Sequence, residues 1–305
     1  MVDTKNTESV LGLDIGGTQI KSIVFQKPES IIASFECPSH ANEGPDAVRA
    51  AVLEVVGYYR KSGISYSSIG IGCAGSVDQE RGVIRNSPYF RQWKDVALGS
   101  WLTSTTGMPV IIENDAKCAI FAEWKIGNAK DCRNAILLTF GTGIGGGLIL
   151  NGELYRGSTG TAGELGHYSI HARGKPCNCG NTGCFERYCS GSALQEQFGN
   201  TFSAAQIFEQ ANQPQFCETV ELFMSDLRVG LTSLSNIFDP DRILIGGGLL
   251  PGLLPYLDDI ALWVRNHAFS AVGSNVRIVP TKHGNLSGAM GAALIALQSQ
   301  AKQHS

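Results

Sequence analysis

A two-lobed α/β fold is what this 305-residue sequence predicts. Residues 10–25 and residues 135–150 repeat one form: an apolar strand, a glycine turn and a second apolar strand (VLGLDIGGTQIKSIVF and AILLTFGTGIGGGLIL). A third apolar strand runs into glycines at Gly246, Gly247 and Gly248, and helical patterns separate these units. Strands alternating with helices build layered α/β architectures, and two similar halves imply a duplicated one with a cleft between them.

Within residues 45–62, Val48, Ala51, Val52, Val55 and Tyr59 recur at helical spacing, and Gly63 ends the run. Ser68 to Gly72 is a short strand that leads into the loop Gly72-Cys73-Ala74-Gly75-Ser76. Val110, Ile111 and Ile112 form another strand, followed by Glu113-Asn114-Asp115 and a helical pattern from Ala116 to Ile126. After the second glycine turn, Leu148-Ile149-Leu150 continues as strand, and Asn151-Gly152 signals a hairpin. Residues 217–238 read as a long helix, and the Ala/Leu-rich stretch Ser287 to Gln298 as a final one.

Bulk properties narrow the function. A net charge of −3 supplies no long-range attraction to nucleic acid or to an anionic membrane, so neither is expected as a partner. The opening MVDTKNTESV has no apolar core of the secretory type, and no apolar run approaches the roughly 20 residues of a membrane helix. The expectation is a soluble, cytoplasmic protein. Its nine cysteines are then poor disulfide candidates. Cys37, Cys73, Cys118, Cys132 and Cys217 sit in apolar or mixed segments and are expected to be buried.

Glycine loops let backbone N–H groups approach phosphate oxygens. No Walker sequence is present. Gly141, Gly143 and Gly146 match the letters of a dinucleotide fingerprint, but that motif must open a helix, and here the loop joins two strands. The remaining type is a pair of phosphate-gripping hairpins, one from each lobe, as in the actin/hexokinase superfamily. Asp14, Gly16, Gly17 and Thr18 then supply one grip and Thr142 and Gly143 the other, with Gly247 and Gly248 as further nucleotide contacts. Asp14 is the candidate holder of Mg²⁺, through water.

Transfer of a phosphoryl group from ATP to a hydroxyl needs metal and dipoles on the phosphates and one carboxylate to take the hydroxyl proton. Asp115, at a strand end and a helix start, is the candidate base; a helix N-cap is the competing explanation of an aspartate there. His167, Cys177, Cys179 and Cys184 offer three thiolates and an imidazole, which suits tetrahedral Zn²⁺ in a closed, structural site. His171 lies nearer the cysteines and competes with His167 on spacing alone.

Taken together, LGLDIGGTQIK, ENDA at 113–116, GTGIGGG at 141–147, AGELGH at 162–167 and CNCGNTGCFE at 177–186 resemble the ROK family (repressor, open reading frame, kinase) across nearly the whole chain. The resemblance implies a two-lobed actin-like ATPase/hexokinase fold of ribonuclease H-like lobes with a small zinc-binding insertion. The N-terminal lobe would be 1–115, completed by a C-terminal helix at 287–305. The C-terminal lobe would be 116–286, with the zinc motif at 167–184. It implies ATP with Mg²⁺ as donor, Asp115 as base, and sugar contacts from Gly75, Asn86, Asn114, Glu164, His167 and Glu186. His167 would ligate zinc through one ring nitrogen and turn the other toward the sugar. Gln19 departs from the lysine common in the family, and GCAGS lacks the usual proline before Gly75.

The family also holds sugar-sensing repressors with an N-terminal DNA-binding domain. Only about nine residues precede the first strand here, so a repressor is not expected. The expected reaction is phosphorylation of a hexose, glucose at its 6-hydroxyl first, on the strength of NSPYFRQW at 86–93. N-acetylmannosamine, N-acetylglucosamine, fructose and allose remain alternatives. A sugar-binding sensor without catalysis is the reading of another class. The family suggests a homo-oligomer, dimer or tetramer.

Overall fold

The computed structural model describes residues 9–26, 30–87, 92–273 and 275–303. The chain divides into two compact units: Met1–Ile126 with Arg156–Ala162 and Leu286–Ser305, and Gly127–Tyr155 with Gly163–Asn285.

In the first unit, numbering in chain order, β1 (Ser9–Ile15) pairs antiparallel with β2 (Gln19–Gln26), and β2 with β3 (Ser30–Pro38). β4 (Ile69–Cys73) and β8 (Val110–Asn114) extend the sheet in parallel, giving the order β3-β2-β1-β4-β8. A small antiparallel sheet of β5 (Ser76–Asp78), β6 (Val83–Asn86) and β7 (Lys94–Val96) follows β4 in the chain. The helices are α1 (Pro45–Lys61), α2 (Leu98–Thr106), α3 (Asp115–Ile126) and α11 (Ser287–Gln303).

β1 and β4 are buried along nearly their whole length, as central strands covered on both faces must be. Leu11, Leu13 and Ile15 join the apolar face of α1 through Val48, Val52 and Val55 in one cluster. Val10 and Phe25 join Ala289, Ala293 and Ala296 of α11 in another. The small residues of α11 have a steric reason. A side chain on Gly12 or Gly70 would run into the backbone carbonyls of Ala289 and Ala292, so α11 lies on the sheet at backbone contact. The helix runs to Gln303, five residues beyond the stretch its composition predicts.

The second unit repeats this plan. β9 (Ala135–Phe140), β10 (Ile144–Leu150) and β11 (Glu153–Leu154) are antiparallel neighbours. β12 (Arg242–Gly246) and β13 (Arg277–Pro280) add in parallel, so the order β11-β10-β9-β12-β13 matches the first sheet strand for strand. Between the sheet's two halves the chain forms α4 (Glu186–Cys189), α5 (Gly191–Glu196), α6 (Ala204–Glu209) and α7 (Pro214–Phe238). After β12 come α8 (Leu250–Leu253), α9 (Leu257–His267) and α10 (Ser270–Gly273). Asn151 and Gly152 both take positive φ, 54° and 76°, as a tight hairpin turn requires. α7 starts three residues ahead of expectation because Pro214 sits in its first turn, where a fixed φ helps and no N–H is needed.

Cys37, Cys73, Cys118 and Cys132 are buried, but Cys217 is exposed. The expectation for Cys217 is corrected by the stripe of Phe216, Val220, Phe223, Met224 and Leu227, which turns α7 so that position 217 faces out. Among the described residues no helix is long and apolar enough to cross a membrane.

Candidate active site

At the junction of β8 and α3, Asp115 is not the N-cap of its helix. The helix cap is made by Asn114: its Oδ1 accepts the Lys117 backbone N–H at 3.0 Å, the geometry of an N-cap. Asp115 is the first residue of α3, and its Oδ1 takes the Ala116 N–H at 2.9 Å. Asn114 is held on its other side too, since its Nδ2 donates to Gly75 O at 3.1 Å. Gly75 has φ +113°, and the backbone of Asn86 and Ser87 occupies the space a side chain would need. Asn86 itself is exposed. Gly75, Asn86, Asn114 and Asp115 are therefore brought into one neighbourhood of the first unit.

The β1–β2 turn carries Asp14, Gly16, Gly17 and Thr18. Gly16 N–H donates to Gln19 O at 2.9 Å, which closes the turn, and Thr18 is exposed. Asp14 lies against the start of α11, where its carboxylate fills the space a side chain on Gly288 would take. Burial, then the charge of Asp115, push the Asp14 carboxyl up to about 7, with Lys21 pulling it back.

In the second unit Thr142 and Gly143 form the turn between β9 and β10, closed by Gly141 N–H to Gly143 O at 2.9 Å. Gly191 N–H donates to Gly141 O at 2.7 Å, setting the start of α5 against this turn. Gly247 follows β12 with φ +86° against the Phe140 backbone, and Gly248 borders open space. Glu186 reaches the same hairpin: its Oε2 accepts the Ile144 N–H at 2.8 Å.

The donor atoms of His167, Cys177, Cys179 and Cys184 all lie within 4.8 Å of one another. Cys179 Sγ and Cys184 Sγ are 3.6 Å apart, as are Cys177 Sγ and His167 Nδ1. Ligands about 2.3 Å from a tetrahedral zinc ion stand about 3.8 Å apart, so the cluster has the right size and the right donors. Burial pushes the Cys184 thiol up to about 12, so a nearby cation would favour its thiolate. The chain turns through Gly180 and Gly183, both at positive φ, and the His171 carbonyl leaves no room for a side chain at 183. His171 is outside the cluster. Its Nε2 is 2.8 Å from Asp226 Oδ1, and its ring packs on Tyr188. Glu164 is exposed and opens the short turn Leu165–His167, where His167 N–H donates to its carbonyl at 3.0 Å. Cys189, outside the pattern, is buried.

A model of the ROK family matches residues 10–299. This chain belongs to the ROK family. Among relatives, a glucokinase of Streptomyces coelicolor is 31% identical over 94% of this chain and 96% of its own. An N-acetyl-D-glucosamine kinase of Aliivibrio salmonicida is 30% identical over 93% and 98%, and a xylose repressor of Bacillus subtilis 28% over 97% and 79%. Among solved structures, a ROK hexokinase from Thermus thermophilus superposes with a TM-score of 0.83 at 32% identity, covering 96% of this chain and 99% of that one. A ROK family glucokinase from Streptomyces griseus in complex with glucose and AMPPNP gives 0.82 at 29%, covering 95% and 99%.

Three residues of this ROK chain support the β8–α3 junction without having stood out in its sequence. Glu113 is 1% exposed and Lys117 3% exposed. Glu113 pairs with Arg156, Nε to Oε2, at 2.7 Å, and Lys117 Nζ donates to Gly160 O at 2.5 Å. An acidic residue ending a strand ordinarily faces water, and the partners are 43 residues away in both cases. Only the ENDA motif, which contains Glu113, gave any signal. Of the NSPYFRQW stretch behind the glucose expectation, residues 88–91 lie outside the described residues.

Proposed function

We propose that this chain is an ATP-dependent hexose kinase that moves the γ-phosphoryl group of Mg–ATP to a sugar hydroxyl, with Asp115 as general base and glucose, at its 6-hydroxyl, as the first acceptor to test. The observation that carries the reading is the division of labour at the β8–α3 junction. The cap that would otherwise explain an aspartate there is made by Asn114, so Asp115 stands at a strand's C-terminal end without that duty.

Asp115 would take the acceptor hydroxyl proton as the oxygen attacks, and Ala116 N–H holds one carboxylate oxygen in place meanwhile. The backbone N–H groups at Gly16–Thr18 and at Thr142–Gly143 would bind phosphate oxygens, with Gly247 and Gly248 giving the nucleotide close approach. Asp14 suits water-mediated binding of a divalent cation, because a carboxylate desolvated beside a second carboxylate gains most from a nearby positive charge. Magnesium bound with ATP would neutralise charge on the transferring group. The proposed acceptor contacts are Gly75, Asn86 and Asn114 in the first unit and Glu164, His167 and Glu186 in the second.

His167, Cys177, Cys179 and Cys184 would hold a structural zinc ion in a closed shell with no coordination position for substrate. His167 turns Nδ1 to the cluster, which leaves Nε2 as the nitrogen for a sugar hydroxyl. N-acetylglucosamine is supported as an alternative acceptor by the kinase relative of that name; N-acetylmannosamine, fructose and allose complete the panel. A sugar-binding sensor is the second reading, favoured by the match to a xylose repressor. ADP release measured across the sugar panel decides: sugar-dependent ADP supports the kinase, and sugar binding without ADP release supports the sensor.

A further inference from the structure

The segment Arg156–Ala162 packs with the first unit although the chain on either side of it belongs to the second. Two charged contacts hold it there. Arg156 Nε donates to Glu113 Oε2 at 2.7 Å, and Lys117 Nζ donates to Gly160 O at 2.5 Å. Glu113 and Lys117 are all but fully buried, while Arg156 is one-third exposed. Buried charges are costly unless paired, so these groups are held where they are by their partners.

The contacts close a circuit around the proposed acceptor residues. The second oxygen of Glu113, Oε1, accepts the Asn114 N–H at 2.9 Å. Asn114 in turn holds Gly75 O through Nδ2 and Lys117 N–H through Oδ1. Lys117 returns to Gly160, which lies against the Val77 carbonyl two residues beyond Gly75. β8 is the edge strand of its sheet, so these side chains help to fix this end of the strand.

Resting on the kinase reading above, we infer that Arg156 is a positioning residue for the sugar: through Glu113 it fixes Asn114, and with Lys117 it fixes the 156–160 segment beside Gly75. It touches neither substrate. Its effect is on how the acceptor is held, because the contacts of the circuit lead to Asn114 and Gly75.

The test compares wild type with Arg156→Met, Arg156→Lys and Lys117→Met, using D-glucose and ATP, or the best sugar of the panel if glucose is poor. KM for sugar, KM for ATP and kcat are measured separately. The expected result for Arg156→Met is a rise in sugar KM on the order of 10-fold or more with ATP KM within about twofold, as the loss of an acceptor-holding contact requires. Arg156→Lys should recover part of the sugar KM by restoring a charge to Glu113. A merely structural role would lower the folded fraction and the apparent kcat with both KM values unchanged, and that result overturns the inference, as does an equal rise in both. If Arg156→Met fails to fold, Arg156→Lys and Lys117→Met decide by the same split. A wild-type enzyme that releases no ADP with any sugar removes the kinase reading and this inference with it. A normal wild type with an unmoved Arg156→Met sugar KM removes this inference alone.

Discussion

Asn114 Oδ1 accepts the backbone N–H of Lys117 at 3.0 Å, so the residue next to the proposed base is the one that caps its helix. Replacing it should therefore hurt stability as well as activity. Asn114→Ala is expected to cost about 1 kcal/mol, the usual value of an N-cap, and Asn114→Ser to recover most of that loss. Urea denaturation of the three proteins checks the order. An Asn114→Ala protein as stable as wild type would mean that the cap contributes nothing here.

Glu186 ties the cysteine-bearing segment to the phosphate hairpin, because its Oε2 takes the Ile144 N–H two residues after Cys184. Because the cysteine cluster would orient His167, Glu164 and Glu186 toward the sugar, loss of metal should first damage sugar binding rather than ATP binding. The hydrogen bond sharpens that order. Chelation should raise sugar KM most and ATP KM less, and Glu186→Ala should raise both KM values in the metal-loaded protein. Kinetics with each substrate varied, before and after chelation, test this. An ATP KM unmoved by Glu186→Ala would show that the bond does not shape the hairpin.

Metal content follows from the size of the donor cluster. Purified protein should hold about one zinc per chain, and Cys184→Ser should lose it together with stability, since binding energy in such sites is folding energy. Elemental analysis is the check. A preparation with full activity and no bound metal would remove the site.

Asp14 makes stability depend on pH in a defined direction. Its folded-state pKa of about 7 stands above the ordinary 3.8, so the folded protein binds the extra proton between those values. Stability of the ligand-free protein should therefore fall as pH rises from about 4 through about 7 on this account, and level off above. Asp14→Asn removes the penalty. It should raise the melting midpoint of ligand-free protein near pH 8 and make little difference near pH 4. Activity should be lost in the same variant. Melting curves at both pH values give the answer, and a difference that does not change with pH would contradict the assigned cause.

The glycine turns, β8 with its END ending and the cysteine cluster were legible because each is encoded locally. A strand–glycine–strand run needs no distant partner, and four metal-type donors within 18 residues announce themselves. The repeated strand order follows from the repeated motif. What sequence could not give is what depends on distant neighbours. Spacing alone does not exclude His171 as a competitor of His167, and it takes Asp226, on a helix 55 residues away, to draw His171 aside. Arg156 reads as an ordinary surface arginine until the fold brings Glu113 to it. Cys217 reads as a small buried residue in a mixed segment beside Phe216, while the phase of α7 turns it outward.

The central claim, that Asp115 takes the proton in sugar-dependent phosphoryl transfer, is tested most directly by kcat for sugar-dependent ADP release in Asp115→Asn against wild type. Carboxamide for carboxylate keeps the shape and the N–H contact from Ala116. The account predicts a fall of ~10²–10⁴-fold with sugar and ATP binding retained; turnover close to wild type would contradict it.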